Sequence, residues 1–148
     1  MSDYEVDSDK GKKAVRVFVA RFFRPCAKVE YVPELIKEKY DVKVNGVSYE
    51  IKFSYKDDGK IIIEEWYDID KKIKGWLYTS ECDHLVYLST KTILIYPFPA
   101  IKKFYLANKE RYPEIRNKNQ TVGLYGQTWW SSFRKIPMSD IPIQPIIW

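Results

Sequence analysis

The dipeptide Asn45-Gly46, with alternating apolar and polar residues on both sides of it, constrains the fold of this chain more than any other feature. Its flanking segments, residues 40–44 and 47–53, have the two-residue period of strands that bury one face. Asn and Gly also tolerate the positive φ angles that a two-residue hairpin turn requires. The sequence therefore predicts a β-hairpin that is closed by Asn45-Gly46.

The register of this hairpin sorts its side chains onto two faces. One face is expected to be apolar and to join the core: Tyr40, Val42, Val44, Val47, Tyr49, Ile51 and Phe53. The other face is expected to be polar: Asp41, Lys43, Ser48, Glu50 and Lys52. On that polar face Asp41 stands opposite Glu50, and two carboxylates that face each other across a ladder destabilise it unless a cation compensates them.

The polar face has the groups that a metal-dependent hydrolase uses. Mg²⁺ or Mn²⁺ would compensate Asp41 and Glu50, since hard cations bind carboxylate, carbonyl and water oxygens. Lys52 adds an ammonium group beside that ion, and an ion with a neighbouring cation can activate water and stabilise a phosphodiester as it is hydrolysed. An amphipathic hairpin with a solvated charged face explains the same residues, and the hairpin alone does not decide between these readings.

Asp41 and the run Tyr49-Glu50-Ile51-Lys52 resemble the Asp…(Asp/Glu)-x-Lys signature of PD-(D/E)XK, or restriction-endonuclease-like, nucleases. That superfamily includes archaeal Holliday-junction resolvases and small phage and viral nucleases. The resemblance implies an α/β (α+β) fold with a restriction-endonuclease-like core, in which helices flank a central mixed β-sheet. It covers about residues 10–110 in the order of elements, and only Asp41, Glu50 and Lys52 are specific to the motif.

The resemblance also implies a role for each matching residue. Asp41, Glu50 and the Ile51 carbonyl would bind Mg²⁺ or Mn²⁺, and Lys52 would be the catalytic lysine of a Mg²⁺-dependent deoxyribonuclease. DNA is then the expected partner, and a homodimer is a further expectation because dimers are common among such nucleases. Two alternatives stay open on the same fold, namely a nucleic-acid-binding protein without catalysis and a viral accessory or structural protein.

One departure from the family pattern affects the metal site. Many relatives have an additional Glu in the first helix, whereas residues 12–16 of this chain contain no carboxylate. Asp9 or Glu30 could take its place. Glu64 or Glu65 could also approach the ion, and alternation along a strand allows only one of them to face it. Glu64 is slightly preferred as the metal ligand.

The remaining periodicity predicts further helices and strands. A helix with a buried apolar stripe is expected over residues 10–24, and a second helix over residues 101–112. Residues 60–66 are predicted to form the third strand of a meander that begins with the hairpin. Residues 84–89 and 92–96 are predicted to be two more strands.

The chain length of 148 residues predicts a single domain, residues 1–148. Residues 1–9 are expected to be a loose N-terminus, and residues 141–148 an irregular C-terminal tail. Residues 68–75 and 116–120 have little apolar periodicity and are predicted to be loops.

Composition favours a polyanionic partner. The formal net charge is +5, and the chain has 12 Tyr and 5 Trp, more than core packing usually requires. Lys71, Lys72 and Lys74 could follow phosphates, and Trp129 and Trp130 could stack on bases. The plainer interpretations are a solvated lysine loop and a half-buried tryptophan pair.

No apolar stretch is long and uninterrupted enough to span a bilayer, which predicts a soluble cytoplasmic protein without a membrane partner, located in the host cell if a virus encodes it. The richness in Lys, Ile and Tyr would suit a thermophile or its virus. Cys26, Cys82 and the lone His84 are too few for a zinc site. His84 is interpreted as a packed residue rather than a general base.

Overall fold

The computed structural model describes residues 13, 15–21, 23, 28–31, 39–53, 58–89, 92–121 and 126–147. The predicted N-terminal segment 1–9, with Asp9, and Cys26 lie outside these residues. Within the described part the fold is mixed α+β with a mixed central sheet, as the sequence predicts for its class. None of the helices in these ranges is long and apolar enough to cross a membrane.

Three helices occur in the described chain. Helix α1 includes residues 13 and 15–21, α2 is Trp76–Thr79, and α3 is Phe98–Asn108. Two short 3₁₀ turns follow, at Lys109–Arg111 and Met138–Asp140. The second long helix thus begins at Phe98, earlier than its apolar periodicity predicts, because Pro97 and Pro99 suit a first turn in which no N–H donor is needed.

Ten strands follow one another in the described ranges: β1 (Val29–Tyr31), β2 (Val42–Val44), β3 (Val47–Phe53), β4 (Lys60–Asp68), β5 (Ile73–Lys74), β6 (His84–Leu88), β7 (Ile93–Pro97), β8 (Ile115–Gln120), β9 (Thr128–Pro137) and β10 (Ile146–Ile147). They form two sheets. The central sheet has the order β1-β2-β3-β6-β7-β10, and the second sheet has the order β5-β4-β9-β8.

The predicted register of the hairpin is confirmed from Val42 to Tyr49, but Asp41 lies in a bend outside the ladder and the predicted pair of Asp41 with Glu50 is not formed. Val42 pairs with Tyr49 and Val44 pairs with Val47. The turn residues Asn45 and Gly46 have φ angles of 51° and 82°. Asn and Gly adopt such positive φ angles at the least cost, which is why the dipeptide predicts a turn.

The prediction of a meander is wrong, because the strand after the hairpin leaves the central sheet. β4 belongs to the second sheet, and the free edge of β3 is occupied by β6 in parallel. Ser48 and Asp83 fix this parallel pair: the Ser48 N–H donates to Asp83 Oδ2 at 2.9 Å, and the Asp83 N–H donates to Ser48 Oγ at 2.9 Å. The hydrogen bond from the Ser48 N–H lowers the pKa of Asp83.

Three segments predicted to be irregular contain strands. Residues 116–120 lie in β8, residues 73–74 form β5, and the tail 141–148 contains β10. All three are edge strands with exposed or partly exposed side chains. An edge strand that buries neither face needs only backbone pairing, so it carries no apolar period from which it could be predicted.

The central sheet is covered on both faces. One apolar cluster lies on the α1 side and includes Phe18 together with these sheet residues: Val42, Val44, Tyr49, Ile51, Val86, Leu88, Ile93 and Ile95. The opposite face packs against the second sheet, α2 and α3 through a second cluster that includes Ile61, Ile63 and Ile136. The face of the hairpin that carries Glu50 and Lys52 therefore turns toward the interior, and is not the solvated face that the plainer interpretation expects.

Tyr40 departs from the predicted alternation. It packs against the cluster on the side of the second sheet, and the Lys43 ammonium lies 5.1 Å from the centre of its ring. The cause is local, since the chain bends at Asp41 and β2 begins only at Val42. The two-residue period does not extend through that bend to Tyr40.

A substitution at Gly46 tests the turn. Gly46→Val should lower the free energy of unfolding by about 1–3 kcal/mol, because a β-branched residue is strained at positive φ. Nothing lies within 4 Å of a Cβ added there, so the cost would come from the backbone and not from a clash. Gly46→Asn is the matched control, since Asn tolerates this conformation. Urea denaturation measures both variants, and equal losses would contradict the explanation.

Candidate active site

Glu50 and Lys52 lie side by side on β3, beneath α2 and the second sheet. The Lys52 ammonium is 2.9 Å from Glu50 Oε1. Glu50 is only 5% exposed, and its second carboxylate oxygen, Oε2, is buried without a hydrogen-bond partner in the described part of the chain. A buried carboxylate oxygen without a donor is costly, which leaves a place where a cation would be stabilising.

Asp41 is brought to the same end of β3 by the bend before β2. Its N–H donates to the Tyr49 carbonyl at 2.9 Å, and its Oδ2 accepts a hydrogen bond from the Ile51 N–H at 2.7 Å. In a strand the N–H and the C=O of one residue point to the same side. The Ile51 carbonyl therefore points to the side on which the Asp41 carboxylate lies, between Glu50 and Lys52 in sequence.

Glu64 joins this group from the second sheet. Its carboxylate accepts a hydrogen bond from the Trp76 backbone N–H and interacts electrostatically with Lys52 and Glu50. Burial raises the pKa of Glu64, and the Lys52 charge and the Trp76 N–H act in the opposite direction. Gly75 permits this approach, since a Cβ added there would lie 2.6 Å from the Glu64 carbonyl oxygen and 2.8 Å from its Cγ.

Glu65 lies in a separate buried cluster. Its carboxylate is bonded to Arg134 and to Lys109, whose Nζ is 2.8 Å from Glu65 Oε1, and the Tyr78 hydroxyl donates to the same oxygen at 3.3 Å. A β-bulge at this point of β4 changes the register against β9 between Glu64 and Trp66. Of the two candidate glutamates, Glu64 thus lies beside Lys52, and Glu65 connects β4, β9 and the segment that follows α3.

Trp76 covers Lys52. The Lys52 ammonium lies 4.9 Å from the centre of the Trp76 ring, within the distance at which a cation is attracted to an aromatic face. The same residue provides the N–H that Glu64 accepts. Sequence reasoning identifies neither Gly75 nor Trp76 as part of the site, because their role depends on the approach of β4, which no local pattern indicates.

Lys52 stays a cation at neutral pH. Burial acts to lower the pKa of Lys52, but the charges of Glu50, Asp41 and Glu64 together with the hydrogen bond to Glu50 outweigh it, and the pKa lies above its ordinary value. An ammonium group in this position can attract a phosphate or stabilise developing negative charge. It is not available as a general base.

The metal ligands suggested by the sequence are only partly brought together. No group of three His, Cys, Asp or Glu side chains in the described ranges is arranged to hold a metal ion, so Asp41, Glu50 and Glu64 do not form such a group in this conformation. The Asp41 and Glu50 carboxylates and the Ile51 carbonyl are oxygen donors of the kinds that a hard cation takes. Glu30, suggested as a replacement for the helix carboxylate, lies on β1 and pairs with Lys28 at 3.0 Å.

The residues suggested for nucleic-acid binding divide between two places on the second sheet. Lys71 and Trp129 line one groove together with Tyr67. Trp130 lines a neighbouring concavity with Arg116 and is 42% exposed. The tryptophans line different depressions because adjacent residues of a strand point to opposite sides.

The other two lysines and His84 are placed differently. Lys72 is exposed in the turn, and Lys74 lies 5.9 Å from the centre of the Tyr78 ring. The His84 ring stacks on Tyr49 with centroids 5.5 Å apart. His84 is therefore a packed residue at the start of β6.

The pKa of Lys52 provides a test of the charge arrangement. In Glu50→Gln the pKa of Lys52 should fall, because the largest effect that opposes burial is removed. In the wild type the raised pKa means that the stability contributed by the Lys52 charge is fully present below its ordinary pKa of 10.5 and is lost as the pH rises through the folded-state value. NMR titration of the lysine Cε resonances measures the change. Glu81→Gln, at an exposed carboxylate, is the control, and an unchanged Lys52 pKa in Glu50→Gln would contradict the arrangement.

Gly75→Ala tests the approach of α2 to β4. The added Cβ should force the Glu64 backbone away and cost about 1–3 kcal/mol of unfolding free energy, as overpacking does. The φ of Gly75 is −79°, which any residue adopts, so only the contact is changed. Thermal unfolding and tryptophan fluorescence measure the effect, with Thr79→Ala at the other end of α2 as the control. A fully stable Gly75→Ala protein would show that the contact is not tight.

Comparisons of this chain with protein-family models, with curated proteins and with solved structures give no match. A function for it is therefore proposed from the arrangement of Asp41, Glu50, Lys52 and Glu64.

Proposed function

We propose that this protein is a metal-dependent nuclease that hydrolyses DNA phosphodiester bonds on a restriction-endonuclease-like core. The observation that carries the proposal is the buried Glu50 carboxylate, which is paired with Lys52 on one oxygen and has no donor from any described residue on the other. Asp41 and the Ile51 carbonyl lie at the same end of β3. In support of the proposal, Lys52 pairs with Glu50 and interacts electrostatically with Asp41.

The charges of the cluster favour a cation. The Lys52 ammonium group lies within electrostatic range of three carboxylates, those of Asp41, Glu50 and Glu64. Asp41, Glu50 and the Ile51 carbonyl would hold Mg²⁺ or Mn²⁺, which when bound polarises the phosphate and lowers the pKa of a bound water. Burial is the main cause of the raised pKa of Glu64, and the neighbouring Glu50 charge raises it further.

Lys52 has a defined task in this proposal. Its ammonium remains protonated at neutral pH and is held between Glu50 and the Trp76 ring. From there it orients the attacked phosphate and stabilises the negative charge that develops on it. Trp76 and Glu64 position Lys52.

A second function is favoured by one observation. Glu50 and Lys52 already neutralise each other at 2.9 Å, and no group of three metal-binding side chains is formed in the described ranges. This arrangement suits a nucleic-acid-binding or viral accessory protein that keeps the fold without catalysis. A homodimer, which cleavage of both strands of a duplex would favour, stays a prediction.

The nuclease proposal predicts that the protein nicks supercoiled plasmid DNA with Mg²⁺ and is inactive with a chelator. Lys52→Ala should reduce cleavage by about 10²-fold or more, as the loss of one charge-stabilising group does. Lys60→Ala removes an exposed lysine at the start of β4 and is the matched control. Circular dichroism verifies that each variant is folded. Equal cleavage by Lys52→Ala and Lys60→Ala would exclude the proposed role.

Metal binding is measured separately by thermal unfolding. At a Mn²⁺ concentration of about 100 times the Kd, the wild type should gain about 2.7 kcal/mol of stability. The double variant Asp41→Asn, Glu50→Gln should gain none. A protein that binds DNA but shows no gain with Mn²⁺ and no cleavage would support the function without catalysis.

A further inference from the structure

The second sheet carries a groove that the proposed active site does not use. Its cavity volume is about 530 Å³, within the range of sites that bind small molecules. Its walls come from the end of β4, the turn before β5 and the start of β9: Tyr67, Lys71, Ile73, Gln127, Thr128 and Trp129. Aromatic, apolar, basic and polar side chains, together with the buried Asp68, thus line a single concavity.

Two aromatic rings form part of the groove wall. Tyr67 and Trp129 lie on paired strands with ring centroids 5.8 Å apart and planes inclined by 32°, and Tyr67 is 43% exposed. The Trp129 Nε1 atom is buried and has no hydrogen-bond partner among the described residues. A ligand in the groove would therefore meet the π surfaces of these residues, which suits a flat ring.

Lys71 contributes a basic side chain to the lining of the groove. The buried Asp68 accepts the Lys71 N–H at 3.1 Å, and the Lys72 N–H donates to the Ile69 carbonyl at 3.2 Å. These bonds shape the turn and leave the side chains of Lys71 and Lys72 exposed. A ligand that places a flat ring in the groove and an anionic group at Lys71 has the chemistry of a nucleotide.

We propose that this groove binds one unpaired base of a single-stranded nucleic-acid segment, with the base against Tyr67 and Trp129 and its phosphate at Lys71. The inference rests on the proposed function only for the identity of the polymer. Tyr67 follows Glu64 by three residues on β4, a rise of roughly 10 Å, which a few nucleotides span. The groove would therefore hold the strand beside the scissile phosphate.

The binding should depend little on the identity of the base. Stacking tolerates every base, and one polar group of the groove is already engaged: the Thr121 hydroxyl accepts the Gln127 N–H at 2.7 Å. The side chains of Gln127 and Thr128 then remain to contact a base edge. A preference for single strands over duplex is expected instead, because the faces of paired bases are covered by their neighbours.

The test measures binding of a fluorescently labelled six-nucleotide oligothymidylate by anisotropy, with a chelator present so that no cleavage occurs. Tyr67→Leu should weaken binding by about 10-fold or more, and Lys71→Ala should weaken it as well. Tyr31→Leu, at a 60% exposed tyrosine of β1, and Lys60→Ala are the matched controls and should bind as the wild type does. Trp129→Leu is a second groove variant if Tyr67→Leu does not fold.

Two results would overturn the inference: losses in the controls equal to those in the groove variants, or a duplex of the same length that binds as tightly as the single strand. Lys52→Ala separates this inference from the nuclease proposal, since it should lose cleavage and still bind the oligonucleotide. If the groove binds the oligonucleotide but the protein does not cleave DNA, the nuclease proposal alone is refuted. If Tyr67→Leu still cleaves DNA and still binds the oligonucleotide fully, the inference about the groove alone is refuted.

Discussion

The burial of Glu50 between the two sheets is the constraint on which the rest of the site depends. A carboxylate that is 5% exposed must be compensated, because an unpaired charge in a medium of low dielectric constant is strongly destabilising. Lys52 provides one partner at 2.9 Å, and the Trp76 ring covers that lysine. The close contact of Gly75 with Glu64 brings α2 near enough for both. The packing of Gly75 against Glu64 and the ion pair of Glu50 with Lys52 therefore depend on each other. A substitution that changes the packing would also disturb the ion pair, and the reverse holds as well.

Two adjacent residues of β4 belong to two different ionic clusters. Glu64 lies beside Lys52, whereas Glu65 is bonded to Arg134 and Lys109. The β-bulge between Glu64 and Trp66 is the local irregularity that accompanies this division, and bulges commonly redirect side chains in this way. The Glu65 cluster connects the second sheet to the end of α3, while the Glu64 cluster connects it to the central sheet. One strand thus fixes the position of the second sheet relative to both.

The same strand links the proposed chemistry to the proposed recognition. Its middle carries Glu64 at the acidic cluster, and its end carries Tyr67 at the groove with Trp129. A rigid strand between two sites fixes their separation, which a nuclease requires if a bound base is to place a phosphate at the metal. The exposed lysines of the turn that follows β4 add the charge that a polyanion would meet. In this proposal β4 contributes one residue to the site of hydrolysis and another to the site that binds the base.

The sequence by itself determined the hairpin and the register of its paired residues from Val42 to Tyr49. Asn45-Gly46 and the two-residue period are local signals, and the turn and the alternation follow from backbone sterics within a few residues. The sequence could not show that the strand after the hairpin leaves the sheet, that β8 and β10 exist, or that Glu64 rather than Glu65 lies near Lys52. Those outcomes depend on which strand occupies the free edge of β3 and on how closely Gly75 lets α2 approach β4. Only the tertiary structure decided them, because pairing between distant segments leaves no periodicity in either segment alone.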